Sequence, residues 1–415
     1  MSERHVAIVG AGVVGISTAL YARRNGWKVT LIDPQGIGQG ASRGNAGMIA
    51  VSECLPIGSW STIKSVPSML LSSDGPLHIR PSYLPRLLPW LLSMAWHSQP
   101  SRVHAIAQAL SGLLQRAVTA HRELAGEAGC AQLLQQTGWL KGINDAQRWQ
   151  RFQTSVQQMQ AHGVQCELLD ANAIAAREPA LLGKFQHAVF HPDCLQVGEP
   201  GHYVQSLGRY ALQAGVQLHQ AQVLGFVRQD SSVTAVRTSM GELPCDAVVV
   251  AAGAHSRQLA HELGSPVPLD TERGYHMMLD TTGCATPLRT PLHWVEKSLV
   301  LSPMDGGLRV TSSVEFAGLH AEARYELVRR HLPALQQLLP GVQLREGSEW
   351  LGFRPSMPDS LPVIGPAAAA SNAWLAFGHG HLGLTLGPIT GRLIAQQLNG
   401  QSSDLDLRPY APSRF

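Results

Sequence analysis

His5 to Val9 is an apolar run, and Gly10-Ala11-Gly12-Val13-Val14-Gly15 follows it at once. Ile16 to Asn25 reads as a helix closed by Gly26, and a second apolar run, Lys28 to Ile32, ends on Asp33. The order strand, glycines, helix, strand restricts the chain to a parallel βαβ unit whose turn offers backbone N–H groups to an anion. Gly10 permits the tight turn, Gly12 lets backbone approach a pyrophosphate, and Gly15 lets helix and strand pack closely. Asp33 stands 21 residues past Gly12, where a carboxylate accepts ribose hydroxyls. The expectation is an adenine dinucleotide. The alternative is a glycine-rich turn in a nucleotide-free domain of the same shape.

The rest of the chain bounds the answer. At 415 residues it holds two to three domains, and 44% apolar residues with 15% charged ones imply large buried surfaces. A net charge of +3 gives no basic face for nucleic acid. The six cysteines (54, 130, 166, 194, 245 and 284) lie far apart without a C-x-x-C. Neither a disulfide framework nor a zinc ribbon is expected, no other metal site is assigned, and a reducing, cytoplasmic setting follows. No signal peptide precedes the first strand, and no run is long enough to span a bilayer. The nearest run, Tyr83 to Trp96, is broken by Pro85, Arg86 and Pro89. It either lies against the inner face of a membrane as a peripheral contact or forms an ordinary buried helix. No obligatory protein partner is evident.

Small-residue turns recur well beyond the first motif: Gly38 to Gly47, Val248 to Ala254 and Gly378 to Gly383. Scattered backbone approaches suit a flat ligand longer than a pyrophosphate, which favours FAD over NAD. Leu386, Ile389, Leu393, Ile394 and Leu398 recur at helical spacing, predicting a helix from Thr385 to Asn399. Its glycine-rich start would aim positive dipole at a flavin, with Thr385 offering a hydroxyl. Plain helix packing is the alternative.

These motifs, together with Trp350-Leu351-Gly352-Phe353-Arg354-Pro355, Pro358-Asp359 and Pro362-Val363-Ile364-Gly365, resemble the FAD-dependent D-amino-acid oxidase superfamily. Within it the chain is most similar to the bacterial D-amino-acid dehydrogenases. The resemblance implies an α/β fold in which a Rossmann-like FAD-binding domain (1–80, 185–265, 350–415) is interleaved with a mixed-sheet α+β substrate domain (81–184, 266–349). It implies flavin contacts at Gly10, Gly12, Val14, Gly15, Asp33, Ser42, Asn45, Ala46, Gly47, Val223, Gly253, Gly352, Gly378, His379, Gly380, Leu382, Gly383 and Thr385. Glycine at 352, where some relatives carry a tethering cysteine, implies non-covalent FAD.

A substrate carboxylate calls for a planar, permanently charged fork, which arginine supplies. Arg354, between Phe353 and Pro355, matches the family's carboxylate-binding arginine, and Arg273 resembles a second active-site arginine. Tyr275 is a further candidate for the carboxylate. Each has the alternative of a structural ion pair or packing. The implied reaction is oxidative deamination of a small D-amino acid, with D-proline and hydroxy-D-proline among the candidates. Hydride passes from the α-carbon to flavin N5, and the imine hydrolyses in water. His379 or His381 could assist the ammonium in losing its proton, or serve only flavin packing or backbone hydrogen bonds; the resemblance implies no obligatory side-chain base, and that role is left unassigned. The electron acceptor, oxygen or a respiratory quinone, is left open. Rival readings are a glycine or secondary-amine oxidase using oxygen, a 2-hydroxy-acid dehydrogenase, a non-catalytic flavin-binding subunit and an NAD-binding regulatory protein.

Overall fold

A computed structural model describes residues 3–58, 75 and 77–415. Its first sheet has the order Gln217–His219, Lys28–Ile32, His5–Val9, Ala247–Val250, Ala373–Phe377, Val363–Pro366. The first five strands are parallel and the last is antiparallel. Such strands are covered on both faces, which is why they read as continuous apolar runs rather than alternating ones. Helix Val13–Arg24 lies on one face and packs against helix Gly383–Leu398. The two axes come close because Gly387 and Gly391 sit at the contact: an added Cβ at Gly391 would lie 2.5 Å from the Ser17 carbonyl carbon. The second helix begins two residues earlier than its hydrophobic period indicated.

The second sheet has ten strands among the described residues. Asp270–Asp280 lies between Gly307–Phe316 on one side and Trp350–Ser356 on the other, all antiparallel. Leu299–Met304, Leu292–Trp294, Trp139–Ile143, His187–His191 and Glu167–Asp170 continue the sheet in that order. Three of its strands fall beyond the sequence-derived limits. Leu77–Ile79 pairs with Gly307–Phe316, His187–His191 with Trp139–Ile143, and Trp350–Ser356 with Asp270–Asp280. The second sheet therefore claims chain on both sides of residues 80 and 184 and keeps it past 349. Local composition carries no mark of a strand's partner about 50, 80 or 240 residues away, so those boundaries had no sequence signal.

Tyr83 to Trp96 is mostly helix, Leu84–His97. Leu87 and Trp90 are buried against Phe316, which makes this a partly buried helix. Its other face is not covered: Leu84, Leu88, Leu92 and Trp96 are 44%, 50%, 64% and 57% exposed, one residue per turn. Among the described residues no helix is long and apolar enough to cross a membrane.

Candidate active site

A cavity of about 1440 Å³ separates the two sheets. At one end, strand His5–Val9 runs into Gly10, which has φ +107°. A Cβ there would sit 2.4 Å from the Ala251 carbonyl oxygen, and one at Gly15 would sit 1.9 Å from the Gly10 oxygen. These two glycines are therefore demanded by the fold itself. Gly12 differs: only Ser42 Oγ, at 3.2 Å, lies near its missing Cβ, and the space beyond is the cavity. The Val13 N–H donates to Ser42 Oγ at 3.0 Å, so this hydroxyl caps the helix start beside that space. Asp33 accepts from the Ala11 and Gln35 N–H groups, both at 2.9 Å, which fixes its carboxylate at the cavity wall.

The opposite wall is one face of the ten-stranded sheet. Gly274 and Gly352 are paired on adjacent strands and both border the cavity; the Trp350 ring lies over Gly352. Gly274 also makes room for Arg354, because its Cβ would lie 2.3 Å from Nη2 of that guanidinium. Arg354 borders the cavity and donates Nη1 to the Ser313 carbonyl at 3.3 Å. Burial pulls its pKa down, and the Glu272 carboxylate opposes this. Farther along the wall stand Thr311, Val300 and Trp139. Behind Trp139, Lys141 is almost fully buried and forms an ion pair with Glu53. Burial works against the Glu53 charge, but the cations around it, Lys141 first, outweigh this and bring its pKa to about 2. His381 lies where both poles act on it. Burial lowers its pKa, against the carboxylates of Glu53 and Glu272 and with the cations of Arg354 and Lys141.

The site fits an adenine dinucleotide with a flat ring system. It joins a ribose-type carboxylate and a helix N-terminus at one end to a sheet wall at the other, where Gly274 and Gly352 leave room for the Arg354 guanidinium and the Trp350 ring. Comparisons with known proteins agree. The family model described as FAD dependent oxidoreductase matches residues 5–397. The chain is 40% identical to a D-amino-acid oxidase of Bradyrhizobium diazoefficiens, over 99% of both chains. It is 28% identical to a D-amino acid dehydrogenase of Methylobacterium nodulans, again over 99% of both. Among solved structures, it resembles glycine oxidase from Geobacillus kaustophilus with a TM-score of 0.75 at 22% identity, covering 99% of both chains. It resembles L-proline dehydrogenase from P. horikoshii with the same TM-score at 17% identity, covering 100% of this chain and 98% of that one.

The chain belongs to the FAD-dependent oxidoreductases of the D-amino-acid oxidase family. In this flavoenzyme, Gly10, Gly12, Val14, Asp33, Ser42, Asn45, Ala46, Val223, Gly253, Gly352, His379, Gly380 and Gly383 all border the cavity. Gly15, Gly47, Gly378, Leu382 and Thr385 are not among the residues that line it. Gly15 serves helix–strand contact, and Gly47 (φ +70°) turns the chain against the Val197 carbonyl. Gly378 packs on Met357, and Leu382 is buried in the core. The Thr385 hydroxyl is already used, accepting from the Ala50 N–H at 3.0 Å and donating to the Met48 carbonyl at 3.3 Å. It has no proton left for a flavin.

Arg273 and Tyr275 need the same correction. Successive strand residues point to opposite faces, so the Arg273 and Tyr275 side chains lie opposite to the face of Gly274, although Tyr275 itself still borders the cavity. Arg273 is fully buried, with Nε 3.3 Å from Glu315 Oε2. The Tyr275 hydroxyl donates to the same carboxylate at 2.5 Å and accepts from the Arg324 N–H at 3.2 Å. Burial and the Glu315 hydrogen bond push its pKa up to about 12. Arg273, Arg80 and Tyr275 thus stabilise one buried carboxylate rather than a substrate. His379 is held by Thr390 Oγ1 at 2.9 Å, which leaves His381 as the freer of the two histidines. Thr311, Glu53 and Lys141 carried no sequence motif. Strand register brings Thr311 to the cavity, while Lys141 and Glu53 form their ion pair behind the wall.

Proposed function

We propose that the protein oxidises D-amino acids to imino acids, with non-covalent FAD as its cofactor. The observation that carries this reading is Arg354: a buried guanidinium on the cavity wall, given its place by the missing side chain of Gly274. A bidentate grip on the substrate carboxylate stabilises the bound anion and orients the α-carbon. Glu272 beside Arg354, its Oε1 accepting from Ser356 Oγ at 2.6 Å, balances that charge when the site is empty. Bound FAD supplies the hydride acceptor. The substrate ammonium must shed a proton before its lone pair can expel the hydride. His381, which borders the cavity and whose pKa is lowered by burial, is the group we assign to take that proton. The related D-amino-acid oxidase and dehydrogenases support D-selectivity.

The exposed stripe Leu84, Leu88, Leu92 and Trp96, with Arg102 over the Trp96 ring at 4.7 Å, suits an interfacial helix and favours a membrane quinone over oxygen as acceptor. Anaerobic mixing of the purified protein with matched D- and L-amino acids tests the main reading. D-forms should bleach the flavin faster. A spectrum unchanged by every amino acid would favour a non-catalytic flavin subunit. An oxygen-electrode trace on the same preparation separates the acceptors: rapid oxygen uptake would remove the quinone.

A further inference from the structure

Buried donors without acceptors are costly, about 1–3 kcal/mol each, so their positions in a cavity wall say what the cavity expects. Three such atoms lie on one face of the large sheet: Thr311 Oγ1, Ser302 Oγ and Trp139 Nε1. Val300 pairs with Thr311, His293 with Val300, and Lys141 with His293, so these four side chains share a face. Ser302 and Trp139 lie two residues from Val300 and Lys141 and therefore face the same way. Of the three, Thr311 and Trp139 line the cavity. The indole nitrogen is the more telling because it is donor only. Trp139 is 6% exposed, and its N–H has no partner among the described residues.

The surroundings of Trp139 sharpen that donor. Lys141 Nζ stands 4.8 Å from the ring centroid, and a cation over the face draws electron density from the indole and strengthens its N–H. His293 stacks at 6.1 Å, 27° from parallel, and limits the ring's freedom. The charges nearby cancel, since Lys141 is paired with Glu53 and burial holds His293 neutral. The pole offers a hydrogen-bond donor but no spare positive charge.

We infer that Trp139 selects substrates whose side chain carries an uncharged oxygen acceptor, an amide or a hydroxyl, for its unpartnered N–H. This rests on the D-amino-acid reading above and names its substrate class. An apolar side chain of the same shape leaves the indole N–H unpaired, and a site built to hydrogen-bond discriminates strongly against such analogues.

The test compares shape-matched pairs on the FAD-loaded enzyme: D-asparagine with D-leucine, and hydroxy-D-proline with D-proline. The oxygen-bearing member should have the higher kcat/KM, by about 10-fold, the equivalent of one such hydrogen bond. D-aspartate should fall below D-asparagine, because no unpaired cation awaits its second carboxylate. Trp139→Phe keeps a ring beside Lys141 and removes only the donor. It should erase the preference by slowing the oxygen-bearing substrates far more than D-leucine, with the FAD content intact. Equal rates for the pairs in the wild-type enzyme would overturn the inference without any variant. So would an equal loss on both members in Trp139→Phe, or loss of FAD from it, which would make the N–H a cofactor contact. If no D-amino acid reduces the flavin at all, the failure lies with the functional reading instead.

Discussion

Gly274→Ala isolates what the structure says about Arg354. The missing Cβ would lie 2.3 Å from Nη2, 2.4 Å from Cζ and 2.8 Å from Nη1 of that residue. Ordinary contact begins near 3.4 Å, so the guanidinium must move by about 1 Å. The fold should tolerate this, because the clash is with the tip of a flexible side chain and Gly274 is not in the left-handed region. Substrate orientation should not. A hydrogen bond to a charged group contributes roughly 1.5–3 kcal/mol, and each 1.36 kcal/mol is a factor of about ten in rate. Misplacement by about 1 Å is known to have effects of about 100-fold. Gly274→Ala should therefore lose about 10- to 100-fold in kcat/KM for D-amino acids, with thermal stability and flavin absorbance close to wild type. Steady-state kinetics with a saturating artificial acceptor read the first, and a melting curve with the visible spectrum the second. Wild-type kcat/KM in Gly274→Ala, alongside a disabled Arg354→Met, would refute the steric reasoning. Loss of FAD would mean that the glycine serves the cofactor rather than the arginine.

Arg354→Lys keeps the charge but loses the planar fork, so kcat/KM should fall about 10- to 100-fold, and Arg354→Met should fall further; near wild-type turnover in Arg354→Met would move the carboxylate site elsewhere. Acid precipitation should release intact FAD, because none of the six cysteines lines the cavity and residue 352 is glycine; colour retained in the pellet would disprove this. Gly12→Val should fold but purify colourless, since its side chain would enter the cavity, whereas Gly15→Val should fail to fold because its Cβ meets backbone at 1.9 Å. His121, His276 and His293 have pKa values lowered by burial from 6.5 to about 4, so between those values the unfolded chain binds protons that the folded one does not. Stability should accordingly fall as pH drops from 6.5 towards 4, by up to about 1.4 kcal/mol per unit for each histidine. A melting temperature that rises on acidification from pH 7 to 5 would contradict this, and His121→Gln should flatten the slope.

The nucleotide half of the molecule was legible in the sequence because its signals are local. Gly10, Gly12, Gly15 and Asp33 act within one strand–turn–helix–strand unit, where backbone geometry and spacing alone decide what each residue can do. The periodic apolar residues of the last helix and the parallel, apolar strands of the first sheet were readable for the same reason. Arg354 could be picked out as well, by its motif and by the improbability of an idle charge between Phe353 and Pro355. The substrate half was different. Whether a strand residue meets the cavity or the opposite face depends on register, and register is set by partners far along the chain. One residue of alternation separates Gly274 from the Arg273 and Tyr275 side chains, which turn to Glu315 instead, and nothing local marks which is which. The buried Glu315 that Arg273 and Tyr275 serve lies 42 and 40 residues away in sequence, yet it decides their role. The pairing of Lys141 with Glu53 and the unpartnered N–H of Trp139 likewise exist only once strand Trp139–Ile143 has taken its place in the sheet. The sequence determined which ligand the fold is built around. Tertiary packing decided which side chains face it, because burial and strand register, not residue type, set where each one points.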